Sequence, residues 1–397
     1  MKALKKVLAF AMAVLMVMSL CACSKEDSVP KTLSHEWSYK TDSGEYAIGV
    51  YIFSLYSAYD QAYRIVQAAK GENFDSNATI LDYSGTFDET GEVYLCSDWI
   101  KKEADRVTRN IIALDAKIKE YGIELDEDVL ASYKEQAEND WYLGPYFEEY
   151  MSYGYTAVPY KDTFEPFGIS FESFYISTYL ASAKQNALFD YFYQKGGVKA
   201  VSDEEIKAYF EDNYTSYSYF SVPLYDSTQD ETTMETVNVS FSNDKIKDYK
   251  DMLDSYKKAI KNGTSFDNVV KLYMSFTGVT TNPSVSNIEN KENVSTSIGA
   301  EVAATLSKLK DGAADYVIVG EGNNQTAFFV YKKAITKETK DYIAQEVNYA
   351  NLLQGLKGDE FLEYIESLTD TVNPEKNEDA ISKYSPAIFE KKTEEKK

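Results

Sequence analysis

The side chains that usually carry proton or metal chemistry are scarce in this chain. It has one histidine, His35, and three cysteines, Cys21, Cys23 and Cys96, in 397 residues. A Ser-His-Asp triad would have to use His35 as its base, and no multi-histidine metal site can be built. His35 lies in a polar stretch without periodicity, where a lone histidine is usually solvated. Cys96 follows the apolar residues of Glu92-Val93-Tyr94-Leu95 and reads as a buried, inert thiol, since a reactive thiolate wants a cationic neighbour and a histidine. Acidic residues number 64, and none stands out as the spaced carboxylate pair of a glycosidase. What the chain has in quantity is tyrosine, 34 residues, with 20 phenylalanines. Such rings suit the binding of surfaces more than the transfer of protons.

The densest aromatic segment is Trp141 to Tyr160, with Trp141, Tyr142, Tyr146, Phe147, Tyr150, Tyr153, Tyr155 and Tyr160. Rings with polar tips offer large contact area at low entropy cost and tolerate varied partners, as a binder of unfolded chains needs. Aromatic residues at helical spacing also fill cores. Both readings stay open for this segment.

Lys2, Lys5 and Lys6 precede the apolar run Val7 to Leu20, which is short for a membrane span and reads as a secretory signal over residues 1–22. Its end, Leu20-Cys21-Ala22-Cys23, resembles a bacterial lipobox. That resemblance implies a diacylglyceryl anchor on Cys23 and a place on the extracytoplasmic face of the cell membrane. With Cys21 removed and Cys23 lipidated, Cys96 is left alone, so no intramolecular disulfide forms and the core must hold the fold. The net charge of -23 with 41 Lys plus Arg, of which only Arg64, Arg106 and Arg109 are arginines, argues against nucleic acid as a partner. The same charge repels anionic headgroups, so attachment has to come from lipid.

Apolar residues make up 44% of the chain, enough for one large or two medium domains. Residues 23–43 read as a flexible tether. Residues 44–200 read as mainly helical: Ile48, Tyr51, Ile52, Leu55, Tyr56 and Tyr59 recur at spacings of three and four, as do Ile100, Ala104, Val107, Ile111, Leu114 and Ile118. Further helices are expected over Asp126 to Asp140 and Phe171 to Gln194, and a strand over Thr79 to Tyr83. Ser202-Asp203-Glu204-Glu205 is a capping box that opens a new unit at Val201. There follow a short helix to Asn213, a strand over Tyr217 to Val222, a helix over Asn243 to Lys261, and one capped by Ser265 that reaches Met274. The polar, turn-rich stretch Gly278 to Ser297 comes next. A helix over Gly299 to Leu309 then leads to a hairpin of Tyr316 to Val319 with Ala327 to Tyr331. Residues 336–389 return to helix, expected to pack on the first half, and residues 390–397 form a charged tail expected to be disordered.

Val201 to Phe210 with the Tyr-rich strand behind it, Lys261-Asn262-Gly263-Thr264-Ser265-Phe266-Asp267 and Leu309-Lys310-Asp311-Gly312 resemble parvulin-type domains of extracytoplasmic foldases of the PrsA and SurA type. Phe361 to Tyr364 and Val372 to Ala380 resemble the closing helix and strand of the PrsA type. The resemblance implies an α+β protein: a mostly helical chaperone-like domain formed by both chain ends, with a small parvulin-like α+β domain inserted over residues 201–335. The family's catalytic pair of histidines falls on Tyr219 and Phe328, its pocket Met and Phe near Ile298 and Val302, and its polar residue after the second helix near Ser275 or Phe276. The parvulin-like domain is therefore expected to bind without efficient isomerisation.

The resulting expectation is a membrane-anchored chaperone that binds unfolded or newly exported polypeptides through its helical domain, needs no cofactor and no metal, and leaves a homodimer open. An active peptidyl-prolyl isomerase and a solute-binding lipoprotein of a transporter are the rival readings.

Overall fold

The run Ile48, Tyr51, Ile52, Leu55, Tyr56 and Tyr59 forms the helix α1, Ile48–Lys70, in a computed structural model that describes residues 36–229 and 236–390. Ile48 through Tyr56 are all buried, as suits a helix that is apolar on every side. Gly49 allows a close approach: a Cβ there would lie 2.9 Å from the Ser173 Cβ, so the α1 backbone nearly touches the segment Phe171–Tyr175. The second periodic run forms α2, Cys96–Glu120, which packs on α1. The Asp126 carboxylate accepts from the backbone N–H of Asp128 and Val129 and starts α3, Glu127–Tyr142, a cap that stabilises by about 1 kcal/mol. The expected Thr79–Tyr83 strand is a turn instead, closed by Tyr83 N–H donating to Ile80 C=O at 3.0 Å with Ile80 buried. The short ladder lies just beyond it, Ser84–Thr86 against Val93–Leu95.

The chain divides into two compact units, residues 1–200 with 357–397, and residues 201–356. Helix predominates and the sheets are small and antiparallel, which makes the class α+β. In the first unit both chain ends share one sheet: Trp37–Thr41 lies between Gly44–Ala47 and Glu375–Lys376, with Tyr39 opposite Lys376. Asp105 of α2 ties them, accepting from the Tyr39 hydroxyl at 2.5 Å and pairing with Lys376 at 3.1 Å. Arg109, one turn on, donates to the Thr369 and Val372 carbonyls at 2.8 and 3.2 Å. The expected tether therefore stops short of Ser43, because Ser38 and Tyr39 are buried. Its remainder, with Cys23 and His35, lies outside the described residues. At the other end Phe389 is buried and Glu390 accepts from the Thr79 hydroxyl, so the body reaches one residue into the expected tail.

The second unit opens as its capping box requires: Ser202 Oγ accepts from Glu205 N–H and the Glu205 side chain accepts from Ser202 N–H. Its centre is a four-stranded sheet in the order Val285–Asn290, Tyr214–Pro223, Thr326–Lys333, Ala314–Val319. The first of these strands lies in the stretch that reads as polar and turn-rich. Four of its six side chains are polar, and what holds it is the ladder with the Tyr-rich strand plus cross-strand bonds such as Ser218 Oγ to Ser286 Oγ at 2.7 Å. One face of the sheet, through Phe220, Val222, Ala327 and Phe329, packs on the helices Asn243–Lys261 and Phe266–Thr277. The other face, through Tyr217 and Val330, packs on Val294, Ile298, Val302 and Leu306.

The return to the first unit comes later than Thr336. Helix Ile335–Ile343 stays with the second unit, and Glu346–Leu368 runs across the boundary at residue 357. Beyond it, Phe361 packs on Phe189 at 5.2 Å and Tyr364 on Phe192 at 5.1 Å between ring centroids. None of the described helices is long and apolar enough to cross a membrane.

Candidate functional sites

Alternation along paired strands puts Tyr217 and Tyr219 on the same sheet face as Phe328 and Val330. Tyr219 and Phe328 are half-buried, their ring centroids 6.1 Å apart, and Ile298 and Val302 close the same cluster. Four of the five positions singled out in this unit therefore meet. Ser275 does not: it sits exposed on Phe266–Thr277, the helix that covers the opposite sheet face, and its hydroxyl donates to the Lys271 carbonyl at 2.9 Å. The helix expected to end at Met274 runs on to Thr277, so Ser275 lies within it and not after its end.

Beside the cluster lies a polar group that sequence reasoning missed. The Tyr217 hydroxyl donates to Glu289 Oε1, Ser297 Oγ donates to Glu289 Oε2 at 2.6 Å, and Asn287 Nδ2 donates to the Tyr217 oxygen at 3.3 Å. Burial, with the Glu289 carboxylate adding to it, pushes the Tyr217 phenol well above its ordinary range, so it stays protonated and serves as a donor. Glu289 had no signal, because it lies in a stretch that reads as loop. The cluster is an apolar surface with one satisfied polar edge, suited to contact.

In the first unit the aromatic segment splits. Trp141 is 1% exposed and stacks on Phe164 at 6.4 Å, so it belongs to the core and not to a binding surface. Tyr160 is also buried. Between these anchors the chain crosses the surface. The helix Phe147–Ser152 leaves Phe147 half-buried, and Tyr142, Tyr146 and Tyr150 are exposed, with Tyr153 at 70% and Tyr155 at 66%. Leu143, Met151 and Val158 add apolar surface that the aromatic pattern did not predict. The loop is closed where Gly144, at φ +93°, meets the Val158 carbonyl, which a Cβ would strike at 2.7 Å.

Tyr146 is held at φ +55°, the left-handed region, and no other described residue but glycine has a positive φ. Such a backbone costs about 1–2 kcal/mol for an L residue, and the surrounding structure must impose it. Beneath the surface the Tyr179 hydroxyl donates to Asp140, whose carboxyl burial holds above the usual range while that bond partly offsets the rise. Cys96 is buried too, and burial pushes its thiol up to about 12, far from a reactive thiolate.

No family model and no curated protein matches the chain. A solved structure, the foldase protein PrsA from Streptococcus pneumoniae, is similar over 76% of this chain and 98% of that one, at 14% identity and a TM-score of 0.32. A superposition that loose assigns neither fold nor activity.

Proposed function

We propose that the chain is an extracytoplasmic chaperone of the foldase type, anchored through a lipidated Cys23, that holds unfolded or newly exported polypeptides on the tyrosine surface of residues 142–155. The observation that carries the reading is the exposure of Tyr142, Tyr146, Tyr150, Tyr153 and Tyr155 on one short segment pinned at both ends. Monomers rarely expose apolar patches of this kind without a use for them. The strained Tyr146 backbone points the same way, since strain persists where a surface has to be presented in one conformation. Phenol rings take up apolar side chains on their faces and backbone groups at their hydroxyls, so they accept many sequences.

The second unit acts in this reading as a parvulin-like module without efficient isomerisation. Twisting a prolyl bond means crossing a barrier of about 18–20 kcal/mol, and with Tyr219 and Phe328 at the histidine positions the pocket offers one phenol hydroxyl and two rings. A transporter's solute-binding protein would want two lobes of alternating strands and helices, and the helical first unit does not supply one.

The test uses residues 24–397 and a client whose refolding is limited by a non-native prolyl bond, with its slow phase and light scattering followed together. The expected result is suppressed scattering with an unchanged slow phase, and loss of that suppression in the triple variant Tyr150→Ser, Tyr153→Ser, Tyr155→Ser. Acceleration of the slow phase would restore the isomerase reading and direct mutagenesis to Tyr219. No effect on either signal would sink the chaperone reading.

A further inference from the structure

The second unit carries, on its helical side, an open cleft of about 600 Å³ between Asn243–Lys261 and Phe266–Thr277. Ligand clefts span roughly 300–1,000 Å³. Met252, Tyr256 and Ala259 form its floor, Leu272 and Phe276 its wall. Both helices spend their other faces on the sheet, through Leu253 and Ile260 on one and Val269, Val270 and Tyr273 on the other. Leu272 and Phe276, one helical turn apart, are left 50% and 53% exposed. Phe276 also meets the Tyr249 ring edge-on at 5.5 Å between centroids, and half-exposed apolar side chains at i and i+4 are the usual wall of a helix-binding groove.

Both charged residues that line the cleft are acidic. Asp248 and Asp251 stand over its N-terminal end, and no cation is among the lining residues. Lys247 pairs with Asp251 at 2.9 Å across an exposed rim, one positive charge against two negative ones. The whole chain adds to that field with its net charge of -23.

We infer that this cleft binds a short amphipathic helix of a partner polypeptide, apolar along one face and bearing Lys or Arg next to it. From Asp248 to Ala259 the floor runs about 16 Å at ~1.5 Å per residue, three turns of a docked helix. Apolar anchors of the partner at i, i+3 or i+4, and i+7 lie between Leu272 and Phe276 on one side and Met252 and Tyr256 on the other. Its ammonium or guanidinium groups meet Asp248 and Asp251. A partner with acidic residues in those places is rejected by like charge. The inference concerns a different unit from the tyrosine surface and stands without it.

The experiment is fluorescence anisotropy with residues 24–397 and two labelled probes, a three-turn amphipathic peptide of leucine and lysine and its leucine and glutamate counterpart. The leucine and lysine probe binds. The pair Leu272→Ser and Phe276→Ser, at exposed positions that leave the core intact, weakens it about tenfold, as the loss of anchoring contacts does. The pair Asp248→Lys and Asp251→Lys, also exposed, weakens it by a similar factor and lets the glutamate probe bind. The triple tyrosine-to-serine variant changes neither by more than about twofold, because those tyrosines belong to the other unit. Absence of binding, equal binding of both probes, or a dependence on the tyrosines instead of Leu272 and Phe276 overturns the inference. Self-association of the chain that disappears with Leu272→Ser and Phe276→Ser overturns it in favour of a second copy as occupant.

Discussion

Two tyrosine-rich stretches of this protein meet opposite fates. The strand Tyr214–Pro223 buries Tyr217 and Phe220 completely, while the segment from Tyr142 to Tyr155 leaves its tyrosines in solvent. Composition does not separate them; neighbours do. The strand is flanked by Val285–Asn290 on one side and Thr326–Lys333 on the other, and helices cover both its faces. The surface segment is anchored through Trp141 and Gly144 on one side and Ala157 and Tyr160 on the other, with only Phe147 half-buried along the helix between them. A ring is buried when elements close over both of its faces, and a span that crosses the surface between two anchors has nothing above it.

The contrast breaks first at the anchors. Trp141→Ala removes a ring packed on Phe164, Phe171 and Phe174, and costs about 3–5 kcal/mol, whereas Tyr142→Ala next to it costs within about 0.5 kcal/mol; urea unfolding measures both. Equal costs would mean that the segment is core throughout. In the strand, Tyr217→Phe deletes the hydroxyl that Glu289 accepts from and is expected to cost about 1–3 kcal/mol, the penalty of an under-satisfied buried acceptor. At the surface segment's one strained position, Tyr146→Gly is more stable than Tyr146→Ala by about 1–2 kcal/mol, and the two urea midpoints give the difference. A reversed order there would show that φ relaxes once the ring is gone.

A smaller effect is one of pH. Burial raises the carboxyl of Asp140, under the tyrosine surface, and that of Asp60 in α1. Each then binds its proton more tightly folded than unfolded, so stability falls as pH rises from the unfolded value near 3.9 through the higher folded one. Asp140→Asn should flatten that fall in urea titrations above pH 4, and an unchanged slope would assign it to Asp60 or other groups. The exposed tyrosines should move stability least, within about 0.5 kcal/mol for each of Tyr150→Ser, Tyr153→Ser and Tyr155→Ser.

Much of the local structure was legible. The periodicity of α1 and α2, the helix opening at Asp126, the box at Ser202 and Glu205 and the hairpin of Tyr316 to Val319 with Ala327 to Tyr331 all depend on residues close in the chain, and each formed where its spacing predicted. The candidate pocket was legible in part. Tyr219, Ile298, Val302 and Phe328 meet because strand alternation and helix spacing keep phase over short distances. Ser275 failed because its face depends on where its helix ends and which side of the sheet the helix covers.

The sequence by itself determined which chemistry the chain can hold: one histidine, three cysteines, an acidic balance and a wealth of phenol rings. Only the tertiary structure decided three things. Trp37–Thr41 found its partner strand at Glu375–Lys376, the mostly polar segment Val285–Asn290 became a strand, and Trp141 went inside while Tyr153 stayed out. Each of these turns on partners far away in the chain, and an unpaired strand or an uncovered ring carries no mark of them until the pairing is made.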